Sequence, residues 1–202
     1  MNKNSFNFAH VKPKDESKIQ GIYTATLGLV KEYGLSGITM NMIAKEANLA
    51  TGTVYLYFTN KEELIAKLFD VCADHYVKVY FRGVNHKESF SKNFRTVWMN
   101  IVHHYTKYFE EMIFLEQCFH SPFIPEDIRV LTKERFKAWY NLLDQARKDG
   151  LVRDMETMWL IAYVRGTIRE MIKHSNYSGK KLTPSLLNKA FEMCWHGIAT
   201  KP

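Results

Sequence analysis

The chain has 202 residues, with 28 Lys and Arg against 21 Asp and Glu, a formal net charge of +7 and 46% hydrophobic residues. This composition excludes a disordered tail, a collagen-like fibre and a disulfide-stapled miniprotein; the length allows one ample domain or a small module joined to a larger one. The three cysteines, Cys72, Cys118 and Cys194, are odd in number and far apart, with no C-x-x-C pair, so reduced cytosolic thiols are expected rather than a metal site. Residues 1–16 are mostly polar, unlike a secretory leader, and no apolar run approaches the roughly 20 residues that span a bilayer. The expected location is cytoplasmic, with no membrane partner.

In chain order, 10 Gly, 5 Pro and the lack of sustained strand-like alternation predict an all-α fold. The first helix is expected from about Asp15-Glu16-Ser17, where acids favour the positive end of the helix dipole, to Gly34. It places Ile22, Ala25, Leu29 and Val30 on one face. Two short helices over about 40–47 and 51–58 are separated by Asn48-Leu49-Ala50, and Asn60 with Glu63 predicts a capping-box-like start to a fourth helix reaching Phe81. Further helices are expected near 89–105, 108–119, 125–148, 156–174 and 184–199, the last with Thr183 as N-cap and Pro184 at N1. Breaks fall at Arg82-Gly83, Ser121-Pro122, Asp149-Gly150 and Tyr177-Ser178-Gly179, and residues 1–13 read as a mobile arm.

Residues 37–64 carry the functional signal. Ile43 and Ala47 face inward, small Ala44 admits a crossing helix, Leu49 and Val54 fill the angle, and Asn48 tolerates the left-handed backbone of a tight turn. So short a break between two short helices suits a crossed helix-turn-helix pair. The outward residues of the second helix, Thr51, Gly52, Thr53, Tyr55, Leu56 and Tyr57, include no charge. Such a surface enters a major groove without repelling phosphate and reads bases through hydroxyls and thymine methyls. Gly52 costs about 1 kcal/mol in a helix interior, which makes sense where backbone approaches DNA closely.

Gly37 and Thr39, Ile43-Ala44, Ala47, Thr51-Gly52-Thr53-Val54-Tyr55, Tyr57-Phe58, Lys61 and Leu64 resemble the DNA-binding module of the TetR family, the tetracycline-repressor-like regulators. The resemblance covers residues 15–70; beyond them the chain matches in being helical and of suitable length. It implies that Thr39, Tyr57 and Lys61 bind phosphates and that Asn41, Thr51, Gly52, Thr53 and Tyr55 lie nearest the bases. Two departures stand out: Asn48 replaces the usual turn glycine, and Ala50 replaces the usual serine cap, which loses a side-chain acceptor worth about 1 kcal/mol unless Thr51 takes over the cap and is then less free to touch DNA.

The implied architecture is an N-terminal three-helix helix-turn-helix domain over 1–61 and a larger helical effector-binding and dimerisation domain over 62–202. Half of the 28 aromatics fall within residues 90–163. The resemblance implies an effector pocket there for a largely apolar small molecule, with Phe94, Trp98, Tyr105, Phe109, Glu116, Trp139 and Trp159 as candidate lining. The competing reading takes these rings as ordinary core. Glu110, Glu111 and Glu116 suit either a cationic effector or a solvated face.

In the final helix Leu187, Ala190, Phe191, Cys194, Trp195 and Ile198 form an apolar stripe, and in the preceding one Ala162 and Gly166, four apart, permit close helix approach. This is either intrachain core or, as the resemblance implies, a two-fold four-helix homodimer interface. No His-Glu-x-x-His, phosphate-cradling glycine loop or G-x-S-x-G occurs, His103 and His104 point to different faces, and Cys118 with His120 makes a poor metal pair. No catalytic residue, metal or cofactor is assigned.

The expected function is a ligand-responsive repressor that binds a pseudo-palindromic double-stranded DNA operator as a dimer. The alternative is a helical small-molecule-binding or enzymatic protein with the helix-turn-helix as scaffold. Residues 1–61 hold seven Lys and four acids, so scattered cations such as Lys3, Lys12, Lys14, Lys18 and Lys61 supply phosphate attraction beside an uncharged reading surface.

Overall fold

The computed structural model describes residues 13–200 apart from His86 and His120, with side chains from Glu16 onward. The N-terminal arm with Lys3 and Lys12, the Lys14 side chain and His120 lie outside the described residues. The described helices are α1 (Pro13–Gly37), α2 (Met40–Glu46), α3 (Thr51–Tyr57), α4 (Lys61–Tyr80), α5 (Phe90–Lys107), α6 (Phe109–Phe119), α7 (Glu126–Lys148), α8 (Thr157–Ser178) and α9 (Pro184–Ile198). An isolated antiparallel bridge joins Val152 and Ala199. The all-α expectation holds element by element.

Local chemistry sets the boundaries. Within α1 the helix breaks at Gly34, which takes φ 74 and ψ 163, a conformation that disfavours other residues. Beyond the break, the Leu35 N–H donates to Gln117 Oε1 at 2.8 Å, while Gln117 Nε2 donates back to the Val30 carbonyl at 3.4 Å. Thr183 caps α9 by accepting from the Leu186 N–H at 3.2 Å, with Pro184 following. Asn60 accepts from the Glu63 N–H at 2.8 Å, and the Glu63 carboxylate takes the Thr59 N–H at 2.6 Å, one residue earlier than a strict capping box. Helix α8 runs beyond the predicted 174 to Ser178, where Gly179 ends it at φ 69.

The chain forms two compact units. The first takes residues as far as Phe69 together with Glu110–Pro125; the second takes Asp70–Phe109 and the chain from Glu126 onward. This differs from the predicted division at residue 61, because α6 and the segment after it pack with the N-terminal helices. Gln117 ties them to α1 as above, Lys31 pairs with Glu110 at 2.8 Å, and Lys61 Nζ lies 5.2 Å from the centre of the Phe123 ring. The core of the first unit includes Ile22, Val30, Ile43, Val54, Leu64 and Leu68, so the apolar spacing of α1 and α4 is spent on burial. That of the second includes Phe94, Trp98, Trp139, Leu143, Val164 and Ile168.

Candidate nucleic-acid interface and effector domain

The turn between α2 and α3 closes through the Asn48 N–H on the Lys45 carbonyl at 3.1 Å and the Leu49 N–H on the Ala44 carbonyl at 2.9 Å. Asn48 takes φ 53, the left-handed conformation its place in the turn predicts. Val54 and Ile43 are buried behind it. Thr39 caps α2, its hydroxyl oxygen accepting from the Met42 N–H at 3.2 Å, which leaves its own proton to donate outward. The cap position of α3 is Ala50, with no side-chain hydrogen bond, so Thr51 is the first helical residue and its hydroxyl does not serve as the cap.

The outer surface of α3 is uncharged and open. Tyr55 is 50% exposed, and Leu56, 83% exposed, is the outstanding apolar group of this face. This largely exposed apolar tip was undervalued by sequence reasoning, although Leu56 stands among the outward residues. A Cβ built at Gly52 meets nothing within 4 Å, so packing inside the chain does not require glycine there. Asn41 is exposed, and Thr51, Thr53 and Tyr57 are half-buried.

Lys61 is held more firmly than its sequence position suggests. Its ammonium donates to the Ile38 carbonyl at 3.0 Å and the Leu35 carbonyl at 3.4 Å, leaving one proton for an outside acceptor. Glu63 nearby is pushed down to about 2 by its hydrogen bonds with Lys67 and then Thr59. It stays ionised and locks the start of α4.

Of the rings named for an effector pocket, Phe94, Trp98 and Trp139 are core. Phe94 stacks on Trp139 at 6.0 Å between centroids and packs on Phe191 at 6.0 Å, and Trp98 meets Phe191 edge-on at 5.6 Å. Phe109 packs on Tyr177 at 5.7 Å. Glu116 lies on α6, in the first unit. The assignment of Trp159 to the pocket is corrected: it is 65% exposed on the outside of α8.

Tyr105 belongs to a second cluster that sequence reasoning missed. Its hydroxyl lies 2.6 Å from that of Tyr76, whose ring neighbours Tyr80, His104 and Phe136. The Arg165 guanidinium sits over the rings of Tyr76 at 5.6 Å and Phe136 at 5.7 Å. The signal was present in the sequence: Arg165 interrupts the stripe Ile161, Ile168 and Ile172, all three of which are buried. Burial, and next the charge of His75, pushes His104 down to about 4. Cys118 and Cys194 are pushed up to about 12 and about 11 by burial, and all three cysteines are buried and outside any disulfide.

The predicted dimer stripe also divides. Phe191, Cys194 and Ile198 are buried within their own chain, which corrects their assignment to an interface: they form the inward side of α9. Leu187, Ala190 and Trp195 are half-buried, with Trp195 placed 5.7 Å from Phe94. The outward side carries Leu186 and Met193, and α8 carries Met158, Trp159 and Tyr163, all exposed. Ala162 is exposed as well, and a Cβ at Gly166 would meet nothing within 4 Å. Gly197 has the opposite role, since a Cβ there would lie 2.5 Å from the Tyr163 hydroxyl and 3.1 Å from its ring. The space a side chain at 197 would need is filled by the Tyr163 ring, which would have to swing aside.

Comparison with known proteins decides the family. Residues 22–68 match the model described as bacterial regulatory proteins, tetR family, and residues 89–199 match the tetracyclin repressor-like C-terminal domain. The chain belongs to the TetR family. It is 26% identical to an uncharacterized HTH-type transcriptional regulator of Haemophilus influenzae over 88% of this chain and 93% of that one. A TetR family regulator from Marinobacter aquaeolei superposes with a TM-score of 0.84 at 22% identity, covering 94% of this chain and 99% of that one. Bacillus subtilis FadR, solved in complex with stearoyl-CoA, does so with a TM-score of 0.65 at 22% identity, covering 89% and 98%. As a TetR-family member, the chain is a DNA-binding transcriptional regulator rather than an enzyme. Among the described residues no helix is long and apolar enough to cross a membrane.

Proposed function

We propose that this chain is a dimeric, ligand-responsive repressor acting on a pseudo-palindromic operator in the cytoplasm. The observation that carries the reading is the uncharged, open face of α3, where Gly52 has no packing reason to be glycine and Tyr55 and Leu56 project outward. In this reading Tyr55, Thr51, Thr53, Gly52 and Asn41 lie nearest the bases, while Thr39, Tyr57 and Lys61 hold phosphates. A helix as short as α3 contacts few base pairs, so two copies related by a two-fold axis supply the affinity. The exposed apolar face of α8 and α9 supports that pairing.

An effector bound in the second unit releases the operator by favouring the DNA-incompetent state over the competent one. Helix α4, which begins at Lys61 and ends at Tyr80, is the chain segment through which that preference reaches the module.

The test is a gel shift on DNA upstream of the chain's own gene, with Tyr55→Ala and Lys61→Ala read across a salt series. Tyr55→Ala is expected to weaken the specific site more than random DNA. Lys61→Ala is expected to weaken both and to reduce the salt slope by about one unit. Because Lys61 also holds two carbonyls, its thermal stability is measured alongside; a lowered Tm with an unchanged slope assigns it a purely structural role. Salt-insensitive or absent DNA binding by the wild-type protein overturns the proposal.

A further inference from the structure

The ammonium of Lys61 has a third partner, far from it in the sequence. Besides the Ile38 and Leu35 carbonyls, it lies over the Phe123 ring at 5.2 Å from the centre, inside the roughly 6 Å over which a cation is drawn to an aromatic face. Phe123 belongs to the segment after α6, which packs within the first unit.

That segment is fixed on both sides of the ring. Cys118 and Ile124 are buried, the Ser121 N–H donates to the Cys118 carbonyl at 2.9 Å, and the Phe123 N–H donates to the Ser121 hydroxyl oxygen at 3.2 Å. Gln117, just before it on α6, accepts from the N–H of Leu35, the residue whose carbonyl Lys61 also meets. One stretch of chain therefore shapes the seat of the ammonium twice, through a ring and through the break in α1. Phe123 is half-buried and lines an open cleft with Tyr33, Ser36, Ser121 and Pro122, so trimming it leaves no enclosed cavity.

A lysine stem is long and rotamer-rich, and ordering it on a phosphate costs binding free energy unless the protein has ordered it beforehand. The chemistry of the partner matters as much as its presence. A carboxylate in this place would neutralise the ammonium and compete with phosphate for it. An aromatic face attracts the cation yet carries no net charge and leaves the N–H groups to true acceptors.

We infer that Phe123 is a positioning residue for phosphate binding by Lys61: its ring holds the ammonium in one place without neutralising it. The inference rests on the reading of Lys61 as a phosphate contact and extends the DNA-binding machinery to a residue outside the helix-turn-helix.

The experiment follows fluorescence anisotropy of a labelled random-sequence duplex of about 30 base pairs at about 50 mM salt, where phosphate contacts dominate. The full chain is compared with Lys61→Ala, Phe123→Met, Phe123→Tyr and the Lys61→Ala/Phe123→Met double variant, with Tm measured for each. Phe123→Met, which keeps apolar bulk without an aromatic face, is expected to weaken the duplex about two- to fivefold, and Phe123→Tyr to match wild type. In the Lys61→Ala background Phe123→Met is expected to have no further effect. A loss of the same size in both backgrounds overturns the inference, because it assigns the ring to packing alone. Unchanged binding by Phe123→Met also overturns it, as does tighter binding, which would make the ring a competitor of phosphate. Lys61→Ala binding as wild type fails the phosphate reading and this inference together, whereas a weakened Lys61→Ala with an additive double variant fails this inference alone.

Discussion

Met193 is the sharpest probe of the outward face of α9. It is 75% exposed, so in an isolated chain Met193→Glu changes stability by no more than about 0.5 kcal/mol. Complete burial of a methionine side chain contributes about 1.5–3 kcal/mol, and the fraction exposed here corresponds to about 1–2 kcal/mol. A two-fold interface buries the residue once from each protomer. Losing both therefore costs about 2–4 kcal/mol, before the added cost of desolvating two carboxylates. At 1.4 kcal/mol per decade, the dimer Kd is expected to weaken by about 30-fold to 1,000-fold. Sedimentation equilibrium across micromolar concentrations reads the Kd, and far-UV circular dichroism confirms that the helices persist. Leu131→Glu, on an exposed apolar part of α7, serves as the control and should leave the Kd unchanged. If Met193→Glu dimerises as tightly as wild type, or Leu131→Glu is the variant that dissociates, the α8–α9 face is not the interface.

Three further outcomes follow from particular groups. His104 sits at about 4 rather than 6.5, so the unfolded chain takes up a proton that the native chain refuses. Stability is therefore lost as pH falls from about 6.5 to 4, by up to about 3 kcal/mol, and His104→Phe should flatten that part of a Tm-against-pH profile; an unchanged profile refutes the burial account. Gln117→Ala leaves the buried Leu35 N–H without its acceptor and should cost about 1–3 kcal/mol in urea unfolding, an effect that a merely solvated glutamine would not show. Gly52→Ala meets no neighbour and gains helix propensity, so Tm should rise while operator affinity falls; equal affinity would remove the reason given for the glycine.

Where chain chemistry is local, the sequence was legible. Thr183-Pro184, Asn60 with Glu63, and glycines at 34, 83, 150 and 179 each act through their own backbone, and each does so where expected. The helix-turn-helix was legible for the same reason, its core positions and its turn lying within some 28 neighbouring residues. The role of α6 was not. Gln117 caps a helix 82 residues away in the chain, and nothing in its own neighbourhood announces that. Helix α9 illustrates a different limit. It is apolar on two sides, Phe191, Cys194 and Ile198 on one and Leu186 and Met193 on the other, and periodicity identifies an apolar stripe without saying whether its partner is the same chain or another. The aromatic-rich stretch fails similarly, because a ring in a packed core and a ring at a ligand share one letter.

The placement of the cations sharpens what the basic composition means. Charge on the reading helix itself would bind phosphate everywhere and blur the distinction between operator and random DNA, since phosphate contacts carry no sequence information. Here α3 presents none, and the cation best fixed beside it, Lys61, is pinned by two carbonyls at 3.0 and 3.4 Å rather than left on a flexible stem. A pinned ammonium loses less rotamer entropy on meeting a phosphate, so it fixes register as well as adding attraction. In the proposed reading, sequence discrimination then falls to the hydroxyl and methyl groups of Thr51, Thr53, Tyr55 and Leu56. Each offers a weak contact, and that weakness is the physical argument for a second copy of the helix on the same site.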